Sequence, residues 1–337
     1  MHYRRLFLAA LIAGCMSLPA MAQQITWTAG FVNAVGSSYV DTLKTVPDRI
    51  LAATKGRLKI VLYDTLVAGP DQPAAVRDGQ LDGSFAVTPW LSAEAPYMNF
   101  GSLPGLITDV GVYHKMLDPL LRGEMAGIWS AKYNAVQLMT GVFEEQCVIS
   151  RVPIHTVEDF AGKKVRVHNT EAGELMKNLG AAPTPVPFGE IVPALQRGIV
   201  DIVMTSVGTA NGFGFYTVAK HVSIWKIGTI VPWSFVVNKD AWAKLPDDLK
   251  PVVQAELRKI EDEHFAEHDA FNRRNLDTFV KNGMTVYDAP PDQLAKVFDK
   301  KNVDAVFDNW YKLNDRAGTD GRGLVEKIRA LEAKASQ

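Results

Sequence analysis

Between Thr156 and Ser206 the chain alternates strand-like and helix-like segments at so short a spacing that an α/β fold with a parallel-rich sheet is the architecture it permits. Thr156 with Asp159 three residues on makes a capping-type start, and Gly162 ends that short turn. Lys163 to Val167 then alternates like a strand, which puts Arg166 in it or at its end. Glu171 to Leu179 carries Leu175, Met176 and Leu179 at helical spacing and stops at Gly180. The link Pro183 to Pro187 is too rich in proline for a helix or a central strand. Phe188 to Arg197 reads as a second helix stopped by Gly198, and Ile199 to Thr205 as an apolar, buried strand.

The chain echoes this unit nearer its start. Val76-Arg77-Asp78-Gly79-Gln80-Leu81-Asp82 resembles Leu195-Gln196-Arg197-Gly198-Ile199-Val200-Asp201, each a helix end, a glycine stop, an aliphatic-Asp pair and a strand. Ile25 to Phe31, Leu58 to Tyr63 and Ser84 to Val87 complete the first set of strands, with a helix from Ser38 to about Thr54. Two such α/β units predict two lobes, and ligands in such sheets sit beyond the C-terminal strand ends. Val87-Thr88-Pro89-Trp90 and Met204-Thr205-Ser206 are therefore expected to face one cleft. The Asn33 to Ser38 loop opens at a strand-to-helix junction, where backbone N–H groups either meet a ligand or simply cap the helix. Trp90 suits a pocket wall, although tryptophan also fills cores. Val136 to Val148 reads as a crossover strand with Phe143 and Gln146 near the cleft, and Val231 to Asn238 as a strand returning to the first lobe with Trp233 near the hinge. Phe213, Phe215 and Tyr216 in the glycine-rich run NGFGFY either close over a ligand or pack in the core. Asp247 to Gly283 is a near-continuous helical pattern, long enough to run behind both lobes.

The ordered set GKKVRV, LGAAPTPVPF and GEIVPALQRGIVD resembles the extracytoplasmic substrate-binding proteins of tripartite ATP-independent periplasmic (TRAP) transporters, the DctP-type family. The similarity is strongest over residues 150 to 206 and extends in weaker form across most of the chain. It implies a two-lobed, Venus-flytrap periplasmic binding protein with a long hinge-spanning helix, working as a monomer with small and large integral membrane permease subunits. It also implies that Arg166 holds the carboxylate of an organic acid, that Phe188 stacks on it and that Glu190 buttresses the site. Relatives binding larger acids often carry a second arginine about where Gln146 stands here. Where the family often places Asn or Glu after the Val-Asp pair, this chain offers the hydroxyls of Thr205 and Ser206.

The chemistry of Arg166 supports that role independently, because a guanidinium presents a rigid fork of donors that matches a carboxylate. The ligand-binding candidates are thus Arg166, Trp90, Phe188, Thr205, Ser206, Gln146, Asn33, Phe213, Tyr216 and Trp233. No catalytic residue, cofactor or metal is expected. His264-Phe265-Ala266-Glu267-His268 formally matches H-x-x-E-H, but Glu261, Asp262, Glu263, Glu267 and Asp269 mark an acidic, solvated helix. A secreted hydrolase is the rival class, and it lacks a G-x-S-x-G nucleophile motif.

Arg4 and Arg5, the apolar run Leu6 to Leu18 and Ala20-Met21-Ala22 make a signal peptide cleaved after Ala22, since the run is too short to span a bilayer. Ile12-Ala13-Gly14-Cys15 offers a competing lipoprotein box, less usual in its distance from the charges. Once residues 1–22 are removed, Cys147 is the one remaining thiol, so no internal disulfide can form. A formal net charge of −1 does not favour nucleic acid. The lobes are expected to comprise 23–146 with 233–272 returning, and 147–232 with 273–337 packing mainly on the second. The ligand expected is a monocarboxylate, aromatic or a 2-oxo or 2-hydroxy acid; a binding protein of an ABC or tripartite tricarboxylate transporter is the alternative.

Overall fold

The computed structural model describes residues 24–186 and 188–335. The signal-peptide and lipoprotein motifs and Pro187 lie outside the described residues, as does the side chain of Phe188. Among the described residues eleven strands form two sheets. The first is ordered β2 (Leu58–Tyr63), β1 (Ile25–Gly30), β3 (Gly83–Val87), β10 (Pro232–Asn238) and β4 (Ala135–Val142). Within it β1 is parallel to β2 and β3, while β10 runs antiparallel to β3 and β4. The second is ordered β11 (Thr285–Asp288), β9 (His221–Ile224), β5 (Gln146–Ser150), β8 (Ile202–Ser206), β6 (Lys164–Arg166) and β7 (Ala182–Pro183). The stretch from Val136 to Val148, expected as one strand, is therefore two: β4 and β5 belong to different sheets, and residues 143–145 cross between them.

The echoed motif has one structural job in both sheets. Gly79 and Gly198 stand at φ of 70° and 71°, a left-handed conformation that glycine adopts without a Cβ penalty. The chain then turns so that an aspartate meets the neighbouring parallel strand, at the fourth residue of β1 in one case and the first of β6 in the other. Asp82 accepts from the Thr28 backbone N–H at 2.8 Å, and Asp201 from that of Lys164 at 2.9 Å. Their own N–H groups donate back to Thr28 O and Lys164 O at 3.0 and 2.8 Å. Each motif thereby fixes the register of a strand whose C-terminal end reaches the cleft.

Near Thr156 the capping box forms as its spacing predicts: Asp159 accepts from the Thr156 and His155 N–H groups at 2.7 and 2.9 Å.

A helix of 32 residues, Lys250–Lys281, packs on the Ser38–Ala53 helix and β4 of the first sheet, and on the Val207–Gly212 helix and β11 of the second. At 1.5 Å per residue it is about 48 Å long. Its inner face is not solvated throughout, contrary to the reading of its acidic run. Glu261 is buried, accepts from the Thr140 N–H at 2.8 Å and pairs with Arg122 and Arg258. His264 is buried too: its Nδ1 meets the Thr42 hydroxyl at 2.9 Å and its Nε2 meets Val142 O at 2.9 Å. Burial pushes this imidazole down to about 4, so it serves as a neutral tie between helix and sheet. Among the described residues no three His, Cys, Asp or Glu side chains group to hold a metal, and no helix is long and apolar enough to cross a membrane.

The Thr170–Asn178 helix meets the Pro96–Ser102 turn through buried polar groups. Asn169 caps the helix by accepting from the Ala172 N–H and donates to the Ser102 hydroxyl at 2.8 Å; Asn99 donates to the Glu171 carboxylate. Burial pushes Glu171 up to about 7. A carboxyl raised above its unfolded value near 4.5 stabilises the fold below that pH and loses the contribution as pH rises through 7. Glu171→Gln, which keeps an acceptor for Asn99, should therefore gain on the wild type in melting temperature more at pH 8 than at pH 5. A gap that stays constant across this range in calorimetric scans would show that Glu171 does not titrate there.

Candidate functional site: a cleft between the two sheets

The C-terminal ends of β3, β6 and β8 converge on a cleft of about 480 Å³ of empty space, its open mouth included. Its apolar wall is built from Val32, Ala34, Val87, Pro89, Trp90 and Phe143. The polar side is Gln146, Arg166, His168, Thr205, Ser206 and Thr209. Val87 with Trp90 and Thr205 with Ser206 come from different sheets and face the same space, the arrangement their strand-end positions predict.

Arg166 ends β6, is 5 % exposed, and donates from Nη1 to the Met204 carbonyl at 3.0 Å. Burial pushes the guanidinium down to about 10, so it stays cationic at neutral pH. Gln146 opens β5 and pairs in register with Ser206; its Nε2 donates to Glu144 O at 3.1 Å. Ser206 caps the Val207–Gly212 helix, and its hydroxyl donates to that of Thr209 at 2.8 Å. That cap puts Thr209 in the cleft wall, a residue the sequence reading did not single out.

The reading also missed Glu144, in the crossing between the sheets. It is buried, and its carboxylate accepts from the Ser38 N–H at the start of the Ser38–Ala53 helix. Burial raises its pKa against the lowering pull of the Ser206 and Ser38 groups. It joins the first turn of one helix to the N-cap of another, from opposite sides of the crossing.

Four candidates do not line the cleft. Trp233 is fully buried in the first sheet's core, its ring edge-on to Tyr39 and His264. Asn33 is exposed and donates to Asp64 at 3.1 Å, leaving Val32 and Ala34 as that loop's contribution to the wall. Phe213 and Tyr216 pack against the apolar cluster around Phe215 and Phe279. The Phe188 backbone lies in a short 3-10 turn, and its side chain is outside the described residues. Cys147 is buried and its thiol meets Thr205 O at 3.3 Å, while burial pushes its pKa up, as suits an inert small hydrophobe.

The model of the bacterial extracellular solute-binding protein family 7, DctP, matches residues 30–312. The chain belongs to that family. It is 26% identical to the sialic acid-binding periplasmic protein SiaP of Vibrio cholerae over 70% of this chain and 74% of that one. With the 2,3-diketo-L-gulonate-binding periplasmic protein YiaO of Escherichia coli it shares 28% identity over 75% of each chain. The crystal structure of DctP7, a Bordetella pertussis extracytoplasmic solute receptor binding pyroglutamic acid, matches with a TM-score of 0.80 at 25% identity, over 90% of this chain and 99% of that one. A TRAP periplasmic solute-binding protein of Desulfovibrio salexigens with bound orotic acid shares the fold, with a TM-score of 0.83 at 18% identity over 92% of this chain and 99% of that one. This protein is thus a TRAP-type solute-binding protein. Its family is extracytoplasmic, binds small organic acids and works with membrane permease subunits; its members are transport proteins rather than enzymes.

Proposed function

We propose that this family member captures a monocarboxylate, aromatic or bearing a 2-oxo or 2-hydroxy group, between its two lobes and hands it to the permease. The observation that carries the reading is that Arg166 is the only cationic side chain among the described residues lining the cleft. One guanidinium matches one carboxylate. Gln146 stands about where relatives of larger acids often place a second arginine, and Trp90 and Phe143 add flat apolar walls. A second carboxylate in that setting would lose its hydration without a counter-charge, at a cost of several kcal/mol. Thr205, Ser206 and Gln146 suit an oxo or hydroxyl oxygen beside the carboxylate. DctP7, which binds pyroglutamic acid, is a relative whose ligand has one carboxyl group.

In this reading segments 23–146 and 233–272 make one lobe, 147–232 with 273–337 the other, and the protein acts as a periplasmic monomer after cleavage behind Ala22. The ligand shifts an open–closed equilibrium because its contacts belong to both lobes at once. A side-by-side calorimetric titration with phenylglyoxylate and pyruvate against succinate and galacturonate tests the ligand class. Phenylglyoxylate or pyruvate should bind at least about tenfold more tightly than succinate, with its second carboxylate, and than galacturonate, whose single carboxylate sits on a polyhydroxylated body that apolar walls do not suit; tenfold is the ratio that about 1.4 kcal/mol gives. Tighter binding of succinate or galacturonate would overturn the pocket reading and leave the family assignment standing.

A further inference from the structure

His168 is a polar side chain of the cleft whose hydrogen-bonding capacity goes unused among the described residues. Both ring nitrogens are buried, and among the described residues neither has a hydrogen-bond partner. Buried polar groups in native proteins are almost always paired, so an imidazole with two idle nitrogens at a ligand cleft needs an explanation. Its position comes from the backbone. His168 stands two residues after Arg166, in the bend between the end of β6 and the Thr170–Asn178 helix, and both side chains line the cleft. Gly228 backs the ring, since a Cβ there would lie 3.7 Å from its Cε1.

The ring also marks a boundary. His168, Pro89 and Trp90 line both the inner cleft and a wider outer groove that continues past Asn169 to Pro183 and Pro185. A ligand that reaches from beside Arg166 towards the outer groove lies alongside the imidazole. Burial, with the Arg166 charge adding to it, pushes His168 down to about 3. A neutral imidazole offers one N–H donor and one lone pair.

Resting on the monocarboxylate reading above, we propose that His168 is a specificity-determining residue that reads a second, uncharged polar group of the ligand beside the carboxylate: a hydroxyl, an oxo oxygen or a ring N–H. A ligand lacking that group leaves the buried nitrogens idle and is rejected on that account. Water alone filling the position would give no such selection.

The test uses matched acids that differ in the polar group: mandelate against phenylacetate, lactate against propionate, and pyroglutamate against cyclopentanecarboxylate. Calorimetry on the wild type should show preference for the polar member of at least one pair by about tenfold or more. In His168→Phe, which has no nitrogens to leave idle, that preference should fall to within about twofold as the polar member loses affinity and the apolar member gains, and His168→Gln, which restores a donor and an acceptor, should recover part of the preference. If Phe does not fit, His168→Ala is read in the same way. A preference that survives in these variants, or an equal loss for both members of a pair, overturns the role of His168 alone. If the wild type binds none of the six acids, the monocarboxylate reading fails and His168 loses its proposed partner with it.

Discussion

Arg166→Met should abolish measurable capture of the acid ligand while leaving the unliganded fold intact. The two halves of this expectation have different causes. Removing the cation from a closed cleft leaves the ligand carboxylate desolvated without its counter-charge, which costs about 3–5 kcal/mol, or about 150- to 4,000-fold in Kd. In the unliganded protein the same guanidinium stands in a low-dielectric site, and burial alone already pulls its pKa to about 10. Holding a cation there costs desolvation free energy that an apolar side chain of similar length does not. The bond from Nη1 to Met204 O is lost, an effect of about 1 kcal/mol that works against this gain. Arg166→Lys separates charge from geometry: it keeps the cation but not the fork, so a loss of about 1.5–3 kcal/mol is expected. Calorimetry with whichever monocarboxylate binds the wild type, together with thermal unfolding of the free variants, decides the point. Wild-type affinity in Arg166→Met would remove this residue from the site.

Residues whose environment is set by near neighbours were legible in the sequence. The strand carrying Arg166, the capping box at Thr156 and Asp159, and the Asp82 and Asp201 motifs are local in sequence and fixed by hydrogen bonds of short range or to one adjacent strand. The cleft followed from them, because strand ends in such a sheet point to one side. What misled was the facing of aromatic and charged side chains whose surroundings come from far along the chain. Trp233 sits in a strand buried on both faces, so alternation could not say which face meets the ligand, and its neighbour His264 arrives from the long helix. Glu261 looked solvated among acids until Arg122, 139 residues earlier, was placed against it. His168 had a local signal, its place two residues after Arg166 at the end of β6. A rule looking for a second cation passes over a histidine that burial keeps neutral.

Gly212→Ala should weaken ligand binding by about 30–150-fold, the factor that 2–3 kcal/mol of overpacking gives. The helix Val207–Gly212 follows β8 of one sheet, and the loop at Val35 and Gly36 follows β1 of the other. The two meet backbone to backbone. A Cβ on Gly212 would lie 1.8 Å from Val35 O, and one on Gly208 would lie 2.6 Å from Gly36 O and 2.9 Å from Cδ of Glu144. Neither glycine has a left-handed φ, so alanine is conformationally acceptable at both and the cost is one of contact. Backbone carbonyls do not swing aside as a flexible side chain does, so the seam itself must part. If lobe closure draws these two segments together, the variant's clash vanishes in the open form and burdens only the closed one, and its whole effect appears as lost affinity. The unliganded variant should then unfold at close to the wild-type temperature. If the free protein instead loses stability as affinity falls, or affinity does not change, the glycine seam belongs to a fixed joint. Closure would then have to occur elsewhere along the cleft.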